Sequence, residues 1–176
     1  MFKKEIEMKA VLKNPQRLRG KLIKLGARKL GKYKELNIKL DFPDKRLEKN
    51  DLIFRLRKKE NKTVLTFKGS KKTGKAKIRN EYETEIGDFE TILSILKNLG
   101  FIIVFKFEKV REEYEFKKAN IVIDKLPKLG YFCEIETDSE NKIYDIAKKL
   151  GIKNLTKRGY GYYIKKYNKN KKELMF

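Results

Sequence analysis

Near its start, the chain carries the stretch EIEMKA, which places Glu5, Glu7 and Lys9 at every second position with apolar residues between them. Alternation of this kind is typical of a β-strand with one buried apolar face, so the three charged side chains share the other face. Carboxylates two residues apart on a strand lie about 6.6 Å apart, close enough to share one cation or to hold two. The stretch therefore predicts either a metal-binding wall or an ordinary solvated strand face.

Further stretches repeat this alternation with charged residues on one face. Those residues are Arg55 and Arg57, Lys68, Arg79 with Glu81 and Glu83, Lys109 and Arg111, Asp124, and Glu134 with Glu136. Arginine and lysine bind phosphate oxygens directly, whereas carboxylates bind them through a divalent metal ion. Facing inward, these residues would line a polar lumen suited to a chain of phosphates, and facing outward they would be plain surface. The alternation alone leaves both arrangements open.

The residue types exclude several chemistries. The chain of 176 residues has one cysteine, Cys133, and no histidine. This excludes internal disulfides, Cys/His zinc sites and every mechanism that needs an imidazole. A metal ion would be held by oxygen ligands, which favours hard cations such as Mg²⁺, Mn²⁺ or Ca²⁺.

The charge balance predicts an anionic partner. The chain has 46 Lys and Arg against 24 Asp and Glu, a formal charge of +22. Nucleic acid, polyphosphate, a nucleotide or a membrane surface would suit this charge, although lysines scattered along the whole chain are also typical of compositional bias. Nucleic acid is the less favoured partner, because the aromatic residues mostly alternate into the apolar strand faces.

Three helices are predicted, each behind an acid-rich strand. They begin after Asn14, after Asp88 and after Asp138 or Ser139, and each ends in Leu-Gly. Strands are expected at 5–10, 30–42, 52–59, 63–68, 78–86, 101–116, 121–126 and 131–137. This pattern predicts an α+β chain rich in antiparallel hairpins.

The chain length fits one domain at residues 1–168, followed by a basic tail at 169–176 that we expect to be solvated or frayed. The opening residues form no apolar run of signal-peptide length, and no stretch approaches a membrane span. We therefore expect a cytoplasmic protein without a membrane partner. The sequence leaves monomer and homodimer open.

The order of these motifs resembles the CYTH family, the triphosphate tunnel metalloenzymes, which includes class IV adenylyl cyclases, thiamine triphosphatases and inorganic triphosphatases. The E-x-E-x-K strand of that family matches Glu5, Glu7 and Lys9. The other motifs follow in family order: R-x-R at Arg55 and Arg57, LTFKG with Lys68, R-x-E-x-E at Arg79, Glu81 and Glu83, K-x-R at Lys109 and Arg111, Asp124 before LPKLGYF, and E-x-E at Glu134 and Glu136. The resemblance covers nearly the whole chain.

The resemblance implies an eight-stranded antiparallel β-barrel, the triphosphate tunnel, with the charged faces inside and the helices packed outside. It implies that Mg²⁺ or Mn²⁺ is held by Glu5, Glu7, Glu134 and Glu136 with help from Glu83 and Asp124. It implies that the phosphates of a triphosphate-containing small molecule are clamped by Lys9, Arg55, Arg57, Lys68, Arg79, Lys109 and Arg111. Glu5, Glu7 and Lys9 would be the catalytic group.

The resemblance favours a metal-dependent triphosphatase acting on inorganic, nucleoside or thiamine triphosphate. A class IV adenylyl cyclase is the alternative, although that subgroup often carries a His-Phe pair ahead of its first motif and this chain has no histidine. A non-catalytic binder of polyphosphate or RNA is a third reading, but it leaves the carboxylate pairs unexplained. The family tends to end in Ser-Tyr, for which Tyr160 is the nearest match, and Lys157 and Arg158 are candidates for a late phosphate contact.

Four other features lead to expectations. Cys133 alternates with the charged residues and should be a buried thiol, and Tyr82 and Tyr131 should lie in the core. The basic loop at 69–77 lacks the full phosphate-binding P-loop pattern and is expected to be a mobile lid over one mouth of the tunnel.

Overall fold

The structure is a computed structural model that describes residues 2–167 and 172–176. Eight strands form one closed antiparallel sheet, in the order β2, β3, β4, β5, β1, β8, β7, β6, with β6 pairing back to β2. The strands are β1 Phe2–Leu12, β2 Arg28–Asp41, β3 Ile53–Lys59, β4 Lys62–Lys68, β5 Lys77–Ile86, β6 Ile102–Phe116, β7 Ala119–Leu126 and β8 Gly130–Thr137. The predicted α+β fold with an eight-stranded barrel is confirmed.

Three helices follow the predicted caps and stops. They are α1 Pro15–Lys24, α3 Phe89–Asn98 and α4 Glu140–Leu150. The side chains of Asn14 and Asp88 accept hydrogen bonds from the first turns of α1 and α3, at 2.9 Å and 2.8 Å. Gly151 ends α4 in the left-handed conformation, at φ 67°, which glycine adopts without strain. Two helices were not predicted, the short α2 Arg46–Lys49 and α5 Tyr160–Tyr167.

The helices cover the apolar outer face of the barrel in two places. Leu18 and Leu22 of α1 and Ile143 and Ile146 of α4 pack in one cluster with outward residues of the barrel strands, among them Ile135 of β8. A second cluster joins α3 to the outer face of β2 and β3 through Phe89, Leu93, Leu96, Ile38, Leu40 and Leu56. Because the apolar residues point outward, the alternating charged residues point into the barrel. The open choice between inward and outward charged faces is decided for the inward arrangement.

One end of the barrel is filled by the C-terminal part of the chain. Ile164 of α5 and Leu174 pack against Leu126 and Phe132 at the ends of β7 and β8. Leu174 belongs to the two-residue strand β9, Glu173–Leu174, which pairs in parallel with β6. The prediction of a solvated or frayed end is wrong for Leu174, which is buried, whereas Lys172, Glu173 and Phe176 are exposed. The part of the predicted tail at 169–171 lies outside the described residues.

The buried-residue predictions have mixed outcomes. Cys133 is buried, and burial raises the pKa of its thiol, as expected of an unreactive core cysteine. Tyr131 is partly buried against the first cluster. The prediction for Tyr82 is wrong, because its ring is 50% exposed and contacts the rings of Phe2 and Phe67 on the outer face of the barrel. Among the described residues, no helix is both long and apolar enough to cross a bilayer.

Candidate active site

The barrel encloses a cavity of about 1160 Å³. All eight strands contribute residues to its wall, and α5 and the loop after β4 contribute at one mouth. Nearly all of the predicted site residues line it, namely Glu5, Glu7, Lys9, Arg55, Arg57, Lys68, Arg79, Glu83, Lys109, Arg111, Glu134 and Glu136. Asp124 does not line the cavity and lies fully buried behind Arg111. The structure thus brings residues from both ends of the sequence into one charged chamber.

Three carboxylates of this chamber form a compact, buried group. Glu5 and Glu7 of β1 and Glu134 of β8 each place an oxygen within 4.8 Å of the others. The pairing of β1 with β8 sets Glu134 directly opposite Lys9, next to the Glu5/Glu7 face. We call Glu5, Glu7 and Glu134 the carboxylate trio.

Lysines neutralise the carboxylate trio. Lys9 lies 2.8 Å from both Glu7 Oε2 and Glu134 Oε2, and Lys68 lies 2.6 Å from Glu5 Oε1. Lys77 forms a further ion pair with Glu7. Buried charges are tolerated only when they are paired, so these contacts allow three acids to sit together away from bulk water.

Glu7 and Glu134, two members of the trio, have pKa values shifted in opposite directions. Burial would raise the pKa of Glu7, but Lys77 and Lys9 overcome this effect and hold it well below its usual range. Burial and the nearby Glu7 carboxylate raise the pKa of Glu134. Of Glu7 and Glu134, Glu134 is therefore the one that accepts a proton first as the pH falls.

The trio fits a hard divalent cation. Its ligand atoms are carboxylate oxygens, which Mg²⁺ and Mn²⁺ prefer. One of them, Glu5 Oε2, is buried without a hydrogen-bond partner, and a buried acceptor of that kind is costly unless a ligand satisfies it. Both the donor set and the orphaned oxygen match a cation site.

The structure does not bring the other predicted metal ligands into the trio. Glu136 pairs with Lys3 at 2.8 Å, and Glu83 pairs with Arg57 at 2.6 Å. Asp124 accepts two hydrogen bonds from Arg111, at 2.8 Å and 2.7 Å, and one from Lys109 at 3.1 Å. In this structure these three carboxylates hold basic residues in place, and metal ligation by them stays a prediction.

The predicted phosphate-binding residues differ in how firmly carboxylates hold them. Arg111 and Lys109 are held by Asp124, and Lys109 also lies 3.2 Å from Glu35. Arg55 is held more weakly: its Nη2 donates to Thr66 Oγ1 at 3.3 Å and lies 3.6 Å and 3.9 Å from carboxylate oxygens, and its buried Nε has no hydrogen-bond partner. Burial and the neighbouring Arg57 lower its pKa, because its charge is poorly compensated. Arg55 is thus the guanidinium most ready to receive an anion.

Arg79 differs from the other predicted phosphate ligands. Its terminal nitrogens donate to Asp51 Oδ1 at 2.7 Å, to the carbonyl of Asp51 at 2.5 Å and to the carbonyl of Gly69. The guanidinium therefore ties β5 to the loops at the mouth. Phosphate binding by Arg79 stays a prediction.

The basic loop at 69–77 lies at the mouth where it was expected, with Lys71, Lys72 and Gly74 lining the cavity. It is anchored, since the amide of Lys75 donates to Glu140 at 2.8 Å and Lys157 donates to the carbonyl of Gly74 at 3.0 Å. Its mobility stays a prediction.

Comparison with known proteins is decisive about the family. The CYTH domain matches residues 3–160, nearly the whole chain. The chain belongs to the CYTH domain family. A protein of Methanocaldococcus jannaschii named "Putative adenylate cyclase" is 31% identical over 132 residues, 75% of each chain.

Solved structures agree on the fold. The PH1819 protein of Pyrococcus horikoshii superposes with a TM-score of 0.80 at 29% identity, covering 93% of this chain and 99% of that one. A protein from Hippeastrum, described as a "putative adenylyl cyclase" with a dominant triphosphatase activity, superposes with a TM-score of 0.72 at 19% identity, covering 93% of this chain and 96% of that one. At that identity the second likeness supports the fold alone.

Sequence reasoning missed several residues of the CYTH chamber. Lys77 extends the alternation of Arg79 and Glu81 by one step, so the signal was present in the sequence. Glu35 and Asn37 face inward from β2, where the alternation Tyr33, Glu35, Asn37, Lys39 also gives the face. The only sequence signal for Tyr160 was its similarity to the Ser-Tyr ending of the family, because the alternation that marks the strands does not extend to α5.

Because the pKa of Glu35 is lowered in the folded protein, we expect this residue to make the protein less stable at acid pH. Burial would raise its pKa, but Lys109, Arg111 and Arg57 lower it from 4.5 to about 2. A lowered folded pKa gives stability that is fully present above pH 4.5 and is lost as the pH falls toward 2. Glu35→Gln is therefore expected to be less stable than wild type by up to about 3 kcal/mol at pH 7.

The measurement is chemical denaturation of both proteins between pH 7 and pH 3. The difference in the free energy of unfolding between wild type and Glu35→Gln should narrow by about 1.4 kcal/mol for each pH unit below pH 4.5. Glu115→Gln, at a half-exposed ion pair outside the cavity, should stay close to wild type throughout. If the free energies of unfolding of wild type and Glu35→Gln change with pH in parallel, the lowered pKa of Glu35 is refuted.

Proposed function

We propose that this CYTH protein is a divalent-metal-dependent triphosphatase that binds its substrate inside the barrel. The observation that carries the proposal is the carboxylate trio, which is buried and enclosed by lysines and arginines. Carboxylates at this depth repel a polyanion unless a cation intervenes, so the arrangement suits a metal ion and phosphates together. A simple basic binder of RNA or polyphosphate has no use for the trio.

The ion pairs within the chamber suggest how binding proceeds. Lys9 and Lys68 are paired with the trio, so a triphosphate and a metal ion would each take one half of the existing pairs. The phosphates would take the ammonium groups, and the metal ion the carboxylates. Each ligand leaves partners free for the other, which predicts that the two bind with positive coupling.

The protein side of the reaction is mainly positioning and charge neutralisation. Phosphoryl transfer develops charge on the phosphate oxygens, and fixed cations in a chamber with little water stabilise it well. Arg55 and Arg57 lie on β3, and Lys109 and Arg111 lie on β6. Strand β2 separates these two strands, and all four side chains line one cavity, so they can hold successive phosphates. A cation held by Glu5, Glu7 and Glu134 would supply Lewis-acid polarisation of the phosphate oxygens. No histidine is required.

One observation keeps the cyclase as a second candidate. Where the other inward positions are mostly charged, one mouth carries the apolar side chains of Ile53, Phe105 and Phe107 beside Lys39. Apolar walls next to a phosphate site leave room for an organic group such as a nucleoside. The name of the Methanocaldococcus jannaschii relative points the same way.

Turnover of a substrate panel tests the proposal. Inorganic triphosphate, ATP and thiamine triphosphate are each incubated with Mg²⁺ or Mn²⁺, and phosphate and cyclic AMP are measured. Phosphate release from at least one substrate, abolished by a chelator, is the expected result. Cyclic AMP from ATP would move the assignment to the cyclase, and tight triphosphate binding without either product would overturn the enzyme proposal.

A further inference from the structure

Tyr160 is placed inside the chamber by a short, well-anchored segment. The main chain of Thr156 exchanges two hydrogen bonds with Lys9 of β1, at 2.9 Å and 2.7 Å. Four residues later, α5 begins with Tyr160, whose ring packs on Phe132 at a centroid distance of 5.4 Å and lines the cavity. The strand that carries Lys9 therefore also fixes where this tyrosine enters.

The ring of Tyr160 stands between two lysines of the predicted phosphate clamp. The ammonium groups of Lys9 and Lys109 lie 5.1 Å and 5.3 Å from its centroid. These distances are within cation–π range, and an aromatic ring attracts an ammonium group without competing for its protons as a carboxylate does. The ring thus holds both lysines in place and leaves their donors directed at the carboxylates, or at phosphates that replace them.

The hydroxyl of Tyr160 reaches the acids behind those lysines. It donates to Asp124 Oδ2 at 2.5 Å and lies 3.4 Å from Glu134 Oε2. Asp124 in turn orients Arg111 and Lys109. One side chain therefore contacts both the anchor of the basic pair and a member of the trio.

The rest of α5 fastens this side chain to the mouth. Ile164 is buried against Leu126 and Phe132, and Lys165 forms an ion pair with Glu48 of α2 on the far rim. Tyr160 can occupy its position only while α5 is seated, because it is the first residue of that helix.

We propose that Tyr160 is a positioning residue that assembles the phosphate clamp, with its ring setting Lys9 and Lys109 and its hydroxyl fixing Asp124 behind Arg111. The proposal rests on the function proposed above only in the identity of the ligand, a triphosphate. A residue that orients a clamp acts on ground-state binding as well as turnover, so its loss raises KM at least as much as it lowers kcat.

The experiment compares Tyr160→Phe and Tyr160→Leu with wild type. Binding of inorganic triphosphate is measured by calorimetry, and kcat and KM by phosphate release. Tyr160→Phe keeps the ring and should weaken binding about 10-fold, the usual scale for one hydrogen bond to a charged group. Tyr160→Leu also loses both cation–π contacts and should weaken it about 100-fold.

The matched control is Tyr114→Phe. Tyr114 is buried outside the cavity and donates to Glu112 at 3.1 Å, so its variant also loses a buried tyrosine–carboxylate bond. It should bind triphosphate within twofold of wild type. Thermal unfolding of all variants shows how much protein is folded in each assay.

Wild-type-like binding by folded Tyr160→Leu, or equal losses in Tyr160→Leu and Tyr114→Phe, would overturn the proposal. Because binding is measured directly, a wild-type protein that binds triphosphate but releases no phosphate would overturn the triphosphatase proposal and leave this test intact.

Discussion

Replacing Glu7 with glutamine is expected to reduce metal-dependent phosphate release at least about 100-fold, since loss of a direct metal ligand exceeds the cost of altering its surroundings. Glu7 is buried, is held ionised by Lys9 and Lys77, and lies with Glu5 and Glu134 in the carboxylate trio. Glutamine has nearly the same shape but no charge, so the proposed cation site loses a ligand. The variant should also be less stable than wild type, because Lys9 and Lys77 lose a buried partner, and thermal unfolding shows how much of it is folded in the assay.

The same substitution should not weaken the binding of triphosphate measured without metal. Removing one negative charge from the wall frees Lys9 and Lys77 from an ion-pair partner, and both can then face the phosphates. We expect unchanged or tighter binding by calorimetry in the presence of a chelator. Loss of turnover with retained binding separates a catalytic carboxylate from a structural one.

Glu85→Gln is the matched control. Glu85 lies near the end of β5, is exposed, pairs with Lys62 and does not line the cavity, so its loss removes the same charge outside the carboxylate trio. It should keep turnover close to wild type. Equal turnover by Glu7→Gln and wild type would exclude the trio as the metal site, whatever the substrate proves to be.

Replacing Arg55 with methionine is expected to weaken triphosphate binding about 100-fold, because a guanidinium makes two charge-assisted hydrogen bonds to phosphate. The structure predicts little loss of stability. Arg55 has distant carboxylate contacts and one hydrogen bond of 3.3 Å to Thr66 Oγ1, and burial lowers its pKa. Its charge therefore costs folding free energy that an apolar side chain of similar length avoids.

Arg111→Met provides the contrast, because Asp124 would lose its two-pronged partner and stay buried. Breaking such a pair costs about 3–5 kcal/mol, so this variant should unfold at lower denaturant concentration than Arg55→Met. Arg46→Met, at an exposed pair with Asp44, is the surface control for binding. Tight binding by Arg55→Met would remove Arg55 from the phosphate clamp.

The strands were predictable because alternation decides them. Glu5 and Glu7 flank the apolar Ile6, and Glu134 lies between the apolar Cys133 and Ile135, so on each strand the acids occupy the face opposite the buried residues. That β1 and β8 bring Glu134 next to Glu5 and Glu7 was implied only by the family resemblance. Which face points inward was not contained in the alternation, because a closed barrel and an open sheet give the same pattern. The helices that cover the apolar face decide it.

The contacts of long side chains were less predictable. Arg79 and Glu136 lie on the predicted face, but Arg79 binds Asp51 and Glu136 binds Lys3, partners that are distant in sequence. The prediction that Tyr82 is buried was wrong because alternation shows which residues face outward but not whether a helix covers them. The seating of α5 and β9 on one mouth depends on packing among residues from four elements, which no local pattern encodes.

The position of β1 in the barrel has a consequence for how the protein is made. β1 is synthesised before the other strands of the barrel, yet it pairs with β5 and with β8, whose residues opposite Ile6 are Ile78 and Thr137. Pairings between such distant residues form slowly, and a strand that waits for its partners exposes unpaired edges. The barrel closes only after most of this sequence has been synthesised. A chain truncated before β8 would lose Glu134. It would also leave β1 as an unpaired edge strand that is prone to aggregation.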